Sequence, residues 1–488
     1  MRRWHLRERD LKRYPHFDRL VSAKEAQRYV TDKVRVTKHA FFPLMEYVKR
    51  QKRYAKPGED RKTKDRPIRY AARLDSYIFS YYRHILLLRY ERELTRLGLS
   101  SSVLAYRHID AGDGKTGKCN IHFARDAFSK IRELGDCCVL ALDISSYFES
   151  LDHNRLKELW SRLLGTERLP ADHFQVYGAM TRYSLVDKLQ VYERLGHFGI
   201  KDGVGNGESR KGFLTPYSKI PKCLCRGREF REKIAGSSSF PSLITTNPND
   251  YGIPQGAPLS DLLANLYLVD FDERVAGWVQ GVGGAYFRYS DDILIIAPGG
   301  EPLGRDLMSR TTGLIKEYGR KLEIKEQKTS LFVFERCAEA QSFRRVEGQR
   351  GRNGLEYLGF RYDGRKVYLR DATMANFCRK IVRRAYREAD ACARRYPDNG
   401  VAGLKSLFNY EKLIQSFGRV RDFGESRANC RRWTFWTYAR RASEVLGPMG
   451  EPIMRQLRRH REFIMRRADE ALELAVLRRG RRKSPCRA

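Results

Sequence analysis

Tyr286-Phe-Arg-Tyr-Ser-Asp-Asp-Ile-Leu-Ile-Ile296 is the stretch that decides the fold. Apolar and aromatic residues flank an acidic pair. The segment therefore reads as strand, sharp turn, strand, with the turn at Ser290, Asp291 and Asp292. Two adjacent carboxylates at the tip of an apolar hairpin repel each other and lose hydration. A divalent cation removes both costs. Mg2+ prefers oxygen ligands and is held by one or two carboxylates plus water and substrate phosphates. Two such ions can clamp the attacking and leaving oxygens of an in-line phosphoryl transfer. The ordinary alternative is a polar hairpin turn. A further carboxylate weighs against it, because Asp143 ends the apolar run Cys137-Cys-Val-Leu-Ala-Leu142, itself strand-like.

The rest of the chain is read outward from this hairpin. Upstream lies Gly252-Ile-Pro-Gln-Gly256, followed by an expected helix from about Ser260 to Val275. Downstream, a helix is expected from about Arg305 to Lys321. A hairpin over Leu355 to Leu369 should turn at Asp363-Gly364. Asp75 to Leu97 is aromatic and aliphatic at helical spacing and predicts a long buried helix. Residues 61–70 form a basic turn leading into a short strand. From Lys201 to Asp250, Gly, Ser, Asn, Lys and Arg dominate, which suggests an insertion or mobile loop. From Asp371 onward the pattern is helical and Arg-rich.

The chain has 488 residues, with 95 Lys and Arg against 59 Asp and Glu, a formal net charge of +36. That charge is costly in self-repulsion unless a polyanion neutralises it, and nucleic acid is the usual partner. The 41% apolar and 11% aromatic content suffices for globular cores. No apolar run approaches the roughly 18 residues of a membrane span, and no lipidation motif accompanies the charge. The N-terminus lacks an apolar signal region, so a non-secreted, cytoplasmic protein is expected. The ten cysteines form no C-x-x-C pair and read as reduced core residues.

Taken together, these motifs resemble the palm and fingers of a reverse transcriptase. Asp143-Ile-Ser-Ser-Tyr-Phe148 is similar to the first catalytic motif. Gly252-Ile-Pro-Gln-Gly-Ala-Pro-Leu-Ser260 resembles the second palm motif, and Tyr289-Ser-Asp-Asp292 the Tyr-x-Asp-Asp box. Gln327-Lys-Thr329 resembles the Lys-bearing motif after the palm helix, Tyr357-Leu-Gly-Phe360 the primer grip, and Arg66-Pro-Ile68 the fingers strand facing the triphosphate. The resemblance runs from about Lys38 to Arg370.

It implies an α+β right-hand polymerase, with fingers and palm built on antiparallel sheet and packed helices, followed by an α-helical thumb. Residues 1–140 would be the N-terminal segment and fingers. Residues 141–370 would be the palm, with an insertion at about 165–250 and the primer-grip hairpin at 355–369. Residues 371–488 would be the basic thumb and tail. Asp143, Asp291 and Asp292 would be catalytic and, with the Ile144 carbonyl, would hold two Mg2+ ions, for which Mn2+ could substitute. Phe148 would exclude a 2′-hydroxyl. Gln255 and Gly256 would meet the nucleotide. Lys62, Lys64 and Arg66 would neutralise the triphosphate, and Lys328 the pyrophosphate.

Weaker flanking matches, Lys38-His-Ala-Phe-Phe-Pro43, Val103-Leu-Ala-Tyr-Arg107 and Phe435-Trp-Thr-Tyr-Ala-Arg-Arg441, resemble the prokaryotic defence-associated reverse transcriptases of the Unknown Group. That resemblance implies an anti-phage enzyme of a bacterium or phage. It also implies dNTPs, a DNA product, a noncoding RNA serving as template and scaffold, and homo-oligomers in some relatives. The C-terminal part supports RNA binding independently: from Pro452 to Ala488 there are 12 Arg or Lys and 4 Asp or Glu. Met454, Leu457, Phe463, Ile464 and Leu472 can line one helix face, opposite Arg455, Arg458, Arg459, Arg466 and Arg467. Trp433 and Trp436 are candidates for base stacking or for the thumb core. The alternatives are a palm-type RNA-dependent RNA polymerase and a non-catalytic RNA-binding scaffold. Phe148 and the Tyr-x-Asp-Asp box speak against the first, and retention of all three aspartates against the second.

Overall fold

The computed structural model describes residues 4–52, 63–112, 114, 116–201, 209–338, 340–349, 351–418 and 434–483. Fourteen strands are assigned among them. They are β1 (Leu44–Lys52), β2 (Thr63–Tyr70), β3 (Cys137–Asp143), β4 (Ser184–Asp187), β5 (Phe198–Lys201), β6 (Arg210–Phe213), β7 (Thr245–Thr246), β8 (Ala285–Tyr289), β9 (Asp292–Pro298), β10 (Ser330–Cys337), β11 (Ala340–Glu347), β12 (Leu355–Tyr357), β13 (Phe360–Tyr362) and β14 (Val367–Leu369).

The central sheet has the order β11-β10-β3-β9-β8, and its neighbours are all antiparallel. Its middle strand is buried on both faces, which explains the unbroken apolar run that ends at Asp143. Alternate residues of that run serve two different cores. Cys138, Leu140 and Leu142 face the first, which also takes Tyr82, Leu86, Tyr90 and Leu94 from the long helix Arg73–Arg96. Cys137 and Val139 face the second, shared with Phe332, Phe334, the three-stranded sheet β12-β13-β14 and the C-terminal helices. The fold is thus mixed helix and mainly antiparallel sheet, followed by a helical C-terminal region.

Several expectations change in detail. The helix after Ser260 breaks at Leu268, giving Ser260–Tyr267 and Val269–Gly281. The hairpin expected over 355–369 is three strands, because a second turn at Leu358-Gly359 precedes the one at Asp363-Gly364. The suggested mobile loop after 200 is, over its described part, built structure. Strands β5 and β6 pair as a ribbon, and β4 and β7 extend the N-terminal sheet in the order β2-β1-β4-β7. A third core there joins Phe17 and Met45 to Val191, Tyr192, Ile220 and Ile234. These apolar residues are spread so thinly among polar ones that no period shows locally. The long basic helix expected from Pro452 is two pieces, Glu451–Gln456 and His460–Lys483. The second lies along helix Asp371–Arg395.

Candidate active site

The sheet register brings two of the three aspartates together. Asp143, the last residue of β3, stands directly opposite Asp292, the first residue of β9. Such cross-strand partners have Cβ atoms about 5 Å apart. The Ile144 N–H donates to the Asp291 carbonyl at 3.0 Å, and the Lys325 N–H donates to the Asp143 carbonyl at 3.1 Å. The carboxylate-bearing turn is therefore pinned from both sides. Asp143 follows Val139 and Ala141 on the sheet face turned toward the second core, so the apolar face of the central sheet ends in carboxylates at this edge.

Among the described residues, no group of three or more His, Cys, Asp or Glu side chains forms a metal cage. A pair of cross-strand carboxylates with a third on the adjoining turn is not a closed structural site. It fits a hard cation that takes the rest of its shell from water and phosphate.

Backbone strain gathers around these residues. Among the described residues, five non-glycine residues have positive φ, and four of them belong here. Ser290 (φ 62) forms the turn of the acidic box, Ser146 (φ 42) follows Asp143, and Tyr106 (φ 63) donates its hydroxyl to Ser290 Oγ at 3.2 Å. Leu358 (φ 45) sits on the three-stranded sheet beside Asp143 and Asp292. Each such residue costs about 1–3 kcal/mol and persists only where its surroundings enforce it.

Sequence reading missed the group that enforces the acidic turn. Arg288 is fully buried, and its fork donates to Asp272 through Nε and Nη2, both at 2.6 Å. Nη1 donates to the Ser290 carbonyl at 3.1 Å, and Nη2 to the Asn265 carbonyl at 3.1 Å. Tyr286 Oη donates to Asp272 Oδ1 at 2.7 Å. Burial works against the charged guanidinium, but the Asp272 carboxylate outweighs it and raises the Arg288 pKa well above its ordinary value. One signal was legible: in Tyr286-Phe-Arg288 the arginine shares its strand face with a core tyrosine. Burial also pushes the Tyr357 phenol up, with the nearby Asp292 charge adding to the effect.

Of the expected nucleotide-side residues, Phe148 is tied to Ile253, and Gln255 and Gly256 meet β2 at Arg69. Phe148 lies on the turn Tyr147–Glu149, half-buried, and its carbonyl accepts from the Ile253 N–H at 2.8 Å. Gln255 is exposed, and its carbonyl accepts from the Arg69 N–H at 3.3 Å. Gly256 has φ +118, and a Cβ there would fall 2.3 Å from the Arg69 carbonyl oxygen. The backbone that approaches Gly256 this closely is that of β2. Arg66 is exposed on the same strand, opposite Lys49. Lys64 lies on β2 and Lys328 on the short turn Glu326–Lys328 after helix Glu301–Glu317. Lys62 and Trp433 lie outside the described residues.

In the C-terminal region Trp436 is half-buried against the second core, with the Arg440 guanidinium 5.8 Å from its ring centroid. Leu457, Ile464 and Leu472 are buried, with Met454 and Phe463 packed beside them. Arg455, Arg458, Arg459 and Arg466 are exposed, whereas Arg467 is half-buried and bonded to Glu470. The helix face therefore divides as its periodicity predicts, except at Arg467. Among the described residues, no helix is long and apolar enough to cross a membrane.

Residues 221–362 match the family described as reverse transcriptase (RNA-dependent DNA polymerase). The matched span is under a third of the chain. It holds the Gly252–Gly256 motif and the Tyr289–Asp292 box and excludes Asp143 and the C-terminal helices. The enzyme class it supports is RNA-directed DNA polymerase. No curated protein matches the chain significantly. Among solved structures, apo telomerase from Candida tropicalis truncated from its C-terminal domain is 11% identical, with a TM-score of 0.37 over 73% of this chain and 62% of that one. Telomerase from Candida albicans in complex with a telomeric RNA fragment is 11% identical, with a TM-score of 0.36 over 90% of this chain and 66% of that one. Candida tropicalis telomerase with the corresponding RNA fragment gives 12%, 0.37, 93% and 67%. The chain thus spans 62% of the length of the first of these proteins. At such identities the likeness extends to no functional detail.

Proposed function

We propose that this chain, which carries a reverse transcriptase domain over residues 221–362, is an RNA-templated DNA polymerase. The observation that carries the reading is the register pairing of Asp143 with Asp292 beside the matched acidic box. Asp143, Asp291 and Asp292, with the Ile144 backbone, would hold two Mg2+ ions. When bound, the ions stabilise the attacking 3′-oxygen and the departing pyrophosphate. The protein's own part is positioning. Phe148 closes the space beside the sugar and excludes a 2′-hydroxyl. Gln255 and Gly256 would meet the nucleotide, and Arg66, Lys64 and Lys62 would neutralise the triphosphate. Lys328 would neutralise the leaving group. Residues 1–140, 141–370 and 371–488 serve as fingers, palm and thumb.

The finer reading is a cytoplasmic, prokaryotic anti-phage enzyme that uses a noncoding RNA as template and scaffold and assembles into homo-oligomers. The excess charge and the exposed Arg455, Arg458, Arg459 and Arg466 support the RNA partner, and Trp433 and Trp436 are its candidate stacking platforms. Binding should be steeply salt-dependent, because each phosphate contact releases a condensed counterion. The test is primer extension with dNTPs or rNTPs on an RNA template, with Asp291→Ala/Asp292→Ala as control. Deoxynucleotide incorporation that the double variant loses supports the polymerase, and unchanged synthesis by that variant rejects it. Sequencing the RNA that co-purifies with the protein tests the finer reading, and preparations free of a discrete RNA species overturn it.

A further inference from the structure

A small cavity of about 60 Å³ lies under the catalytic edge, between the five-stranded sheet and the three-stranded sheet. Asp143 and Asp292 form its roof, and Ser330, Phe332, Tyr357 and Arg370 are among its walls. Two hydroxyls in it are buried without a hydrogen-bond partner among the described residues: Tyr357 Oη, on a side chain 5% exposed, and Ser330 Oγ, on one 1% exposed. They reach the cavity from opposite sheets. Ser330 stands across the ladder from Ala141, two residues before Asp143. Tyr357 begins the turn that carries the strained Leu358.

A buried hydroxyl left unsatisfied costs about 1–3 kcal/mol. A neutral phenol beside carboxylates is a natural donor toward them. A water needs about 10–15 Å³ of such space and two to four polar partners. The cavity has room for more than one, and its walls supply the partners. An anion is disfavoured by the two carboxylates above it.

We propose that this cavity holds an ordered water cluster linking the Tyr357 and Ser330 hydroxyls to the Asp143 and Asp292 carboxylates. Tyr357 is thereby a positioning residue for the catalytic carboxylates. A carboxylate has about four lone-pair sites, so a water can be accepted alongside its other partners. The inference rests on the polymerase reading for its consequence in catalysis, but not for its consequence in cation binding. Outer partners of metal-holding carboxylates are worth about 10- to 100-fold in metal affinity. A water-mediated one belongs at the lower end of that range.

The experiment compares the full-length protein with Tyr357→Phe, which removes only the hydroxyl, with Ser330→Ala and with the double variant. Mn2+ binding is read by electron paramagnetic resonance, nucleotide incorporation is read as kcat and KM, and thermal stability is read in parallel. Tyr357→Phe should weaken Mn2+ binding about 10-fold. It should lower kcat more than the KM for dNTP and leave Tm nearly level, because the waters that lose the phenol keep their other partners. The double variant should lose less than the product of the single effects, because the two hydroxyls act through shared waters. Unchanged Mn2+ affinity in Tyr357→Phe overturns the inference, as does a fall in Tm without any change in affinity. Wild-type protein that binds Mn2+ through Asp143 but never polymerises rejects the polymerase reading alone.

Discussion

Replacing Arg288 separates the stability of the central sheet from the geometry of its acidic turn. Arg288 and Asp272 are both fully buried and joined by a two-pronged ion pair. Arg288→Met leaves the Asp272 carboxylate buried and unpaired. Breaking such a pair from one side costs about 3–5 kcal/mol. Arg288→Met combined with Asp272→Asn removes both charges and keeps an acceptor for Tyr286. That double variant should recover most of the loss, because replacing a whole buried pair is often nearly neutral. Catalysis should not recover with it. The Ser290 carbonyl loses its guanidinium donor in both variants, and the turn between Tyr289 and Asp291 loosens. A displacement near 1 Å at a catalytic group can lower the rate about 100-fold. Urea unfolding with a constant m-value measures the first effect, and single-nucleotide incorporation measures the second. If the double variant is as unstable as Arg288→Met, or regains wild-type kcat, the network does not hold the turn as described.

Three further outcomes are expected. Gly256→Ala puts a Cβ against the Arg69 carbonyl at 2.3 Å, so it should raise the KM for dNTP and lower stability by about 1–3 kcal/mol; wild-type values for both would show that β2 can give way. Phe148→Val should admit ribonucleotides, read as a fall in the dNTP to rNTP preference in kcat/KM, and an unchanged ratio removes Phe148 from sugar selection. His173 is packed under Trp160, whose Nε1–H donates to it at 3.2 Å, and burial lowers its pKa from 6.5 to about 4. The unfolded chain takes up that proton first, so the histidine's contribution is complete above about pH 6.5 and is lost as pH falls toward about 4; His173→Gln should flatten the stability slope across that window, and an identical slope would assign it to other groups.

Legibility of the fold and site followed from how much of the physics is local. The acidic hairpin and the strand ending at Asp143 could be read because carboxylates abruptly bound apolar runs there. Phe148 and Gly252–Gly256 were legible as motifs, but the contact that obliges Gly256 to be glycine comes from a strand nearly 190 residues earlier. β10 and β11 escaped notice. β10 is buried in its first half and exposed in its second, and the edge strand β11 carries two adjacent arginines, so neither alternates cleanly. The third strand of the hairpin sheet was hidden because Leu358 takes a left-handed turn that glycine would ordinarily mark. Arg288 was passed over because its partner Asp272 sits on a helix, where an acidic residue reads as surface.

The pairing of Asp143 with Asp292 also has a consequence for synthesis on the ribosome. These two residues are 149 positions apart, and β10, on the other side of β3, is made later still. At about 5–20 residues per second, β3 emerges roughly 7–30 seconds before its partner β9 exists. For that interval its apolar edges, including Cys137 and Cys138, have no sheet to join. The Asp143–Asp292 edge therefore cannot assemble until more than half of the chain has been translated.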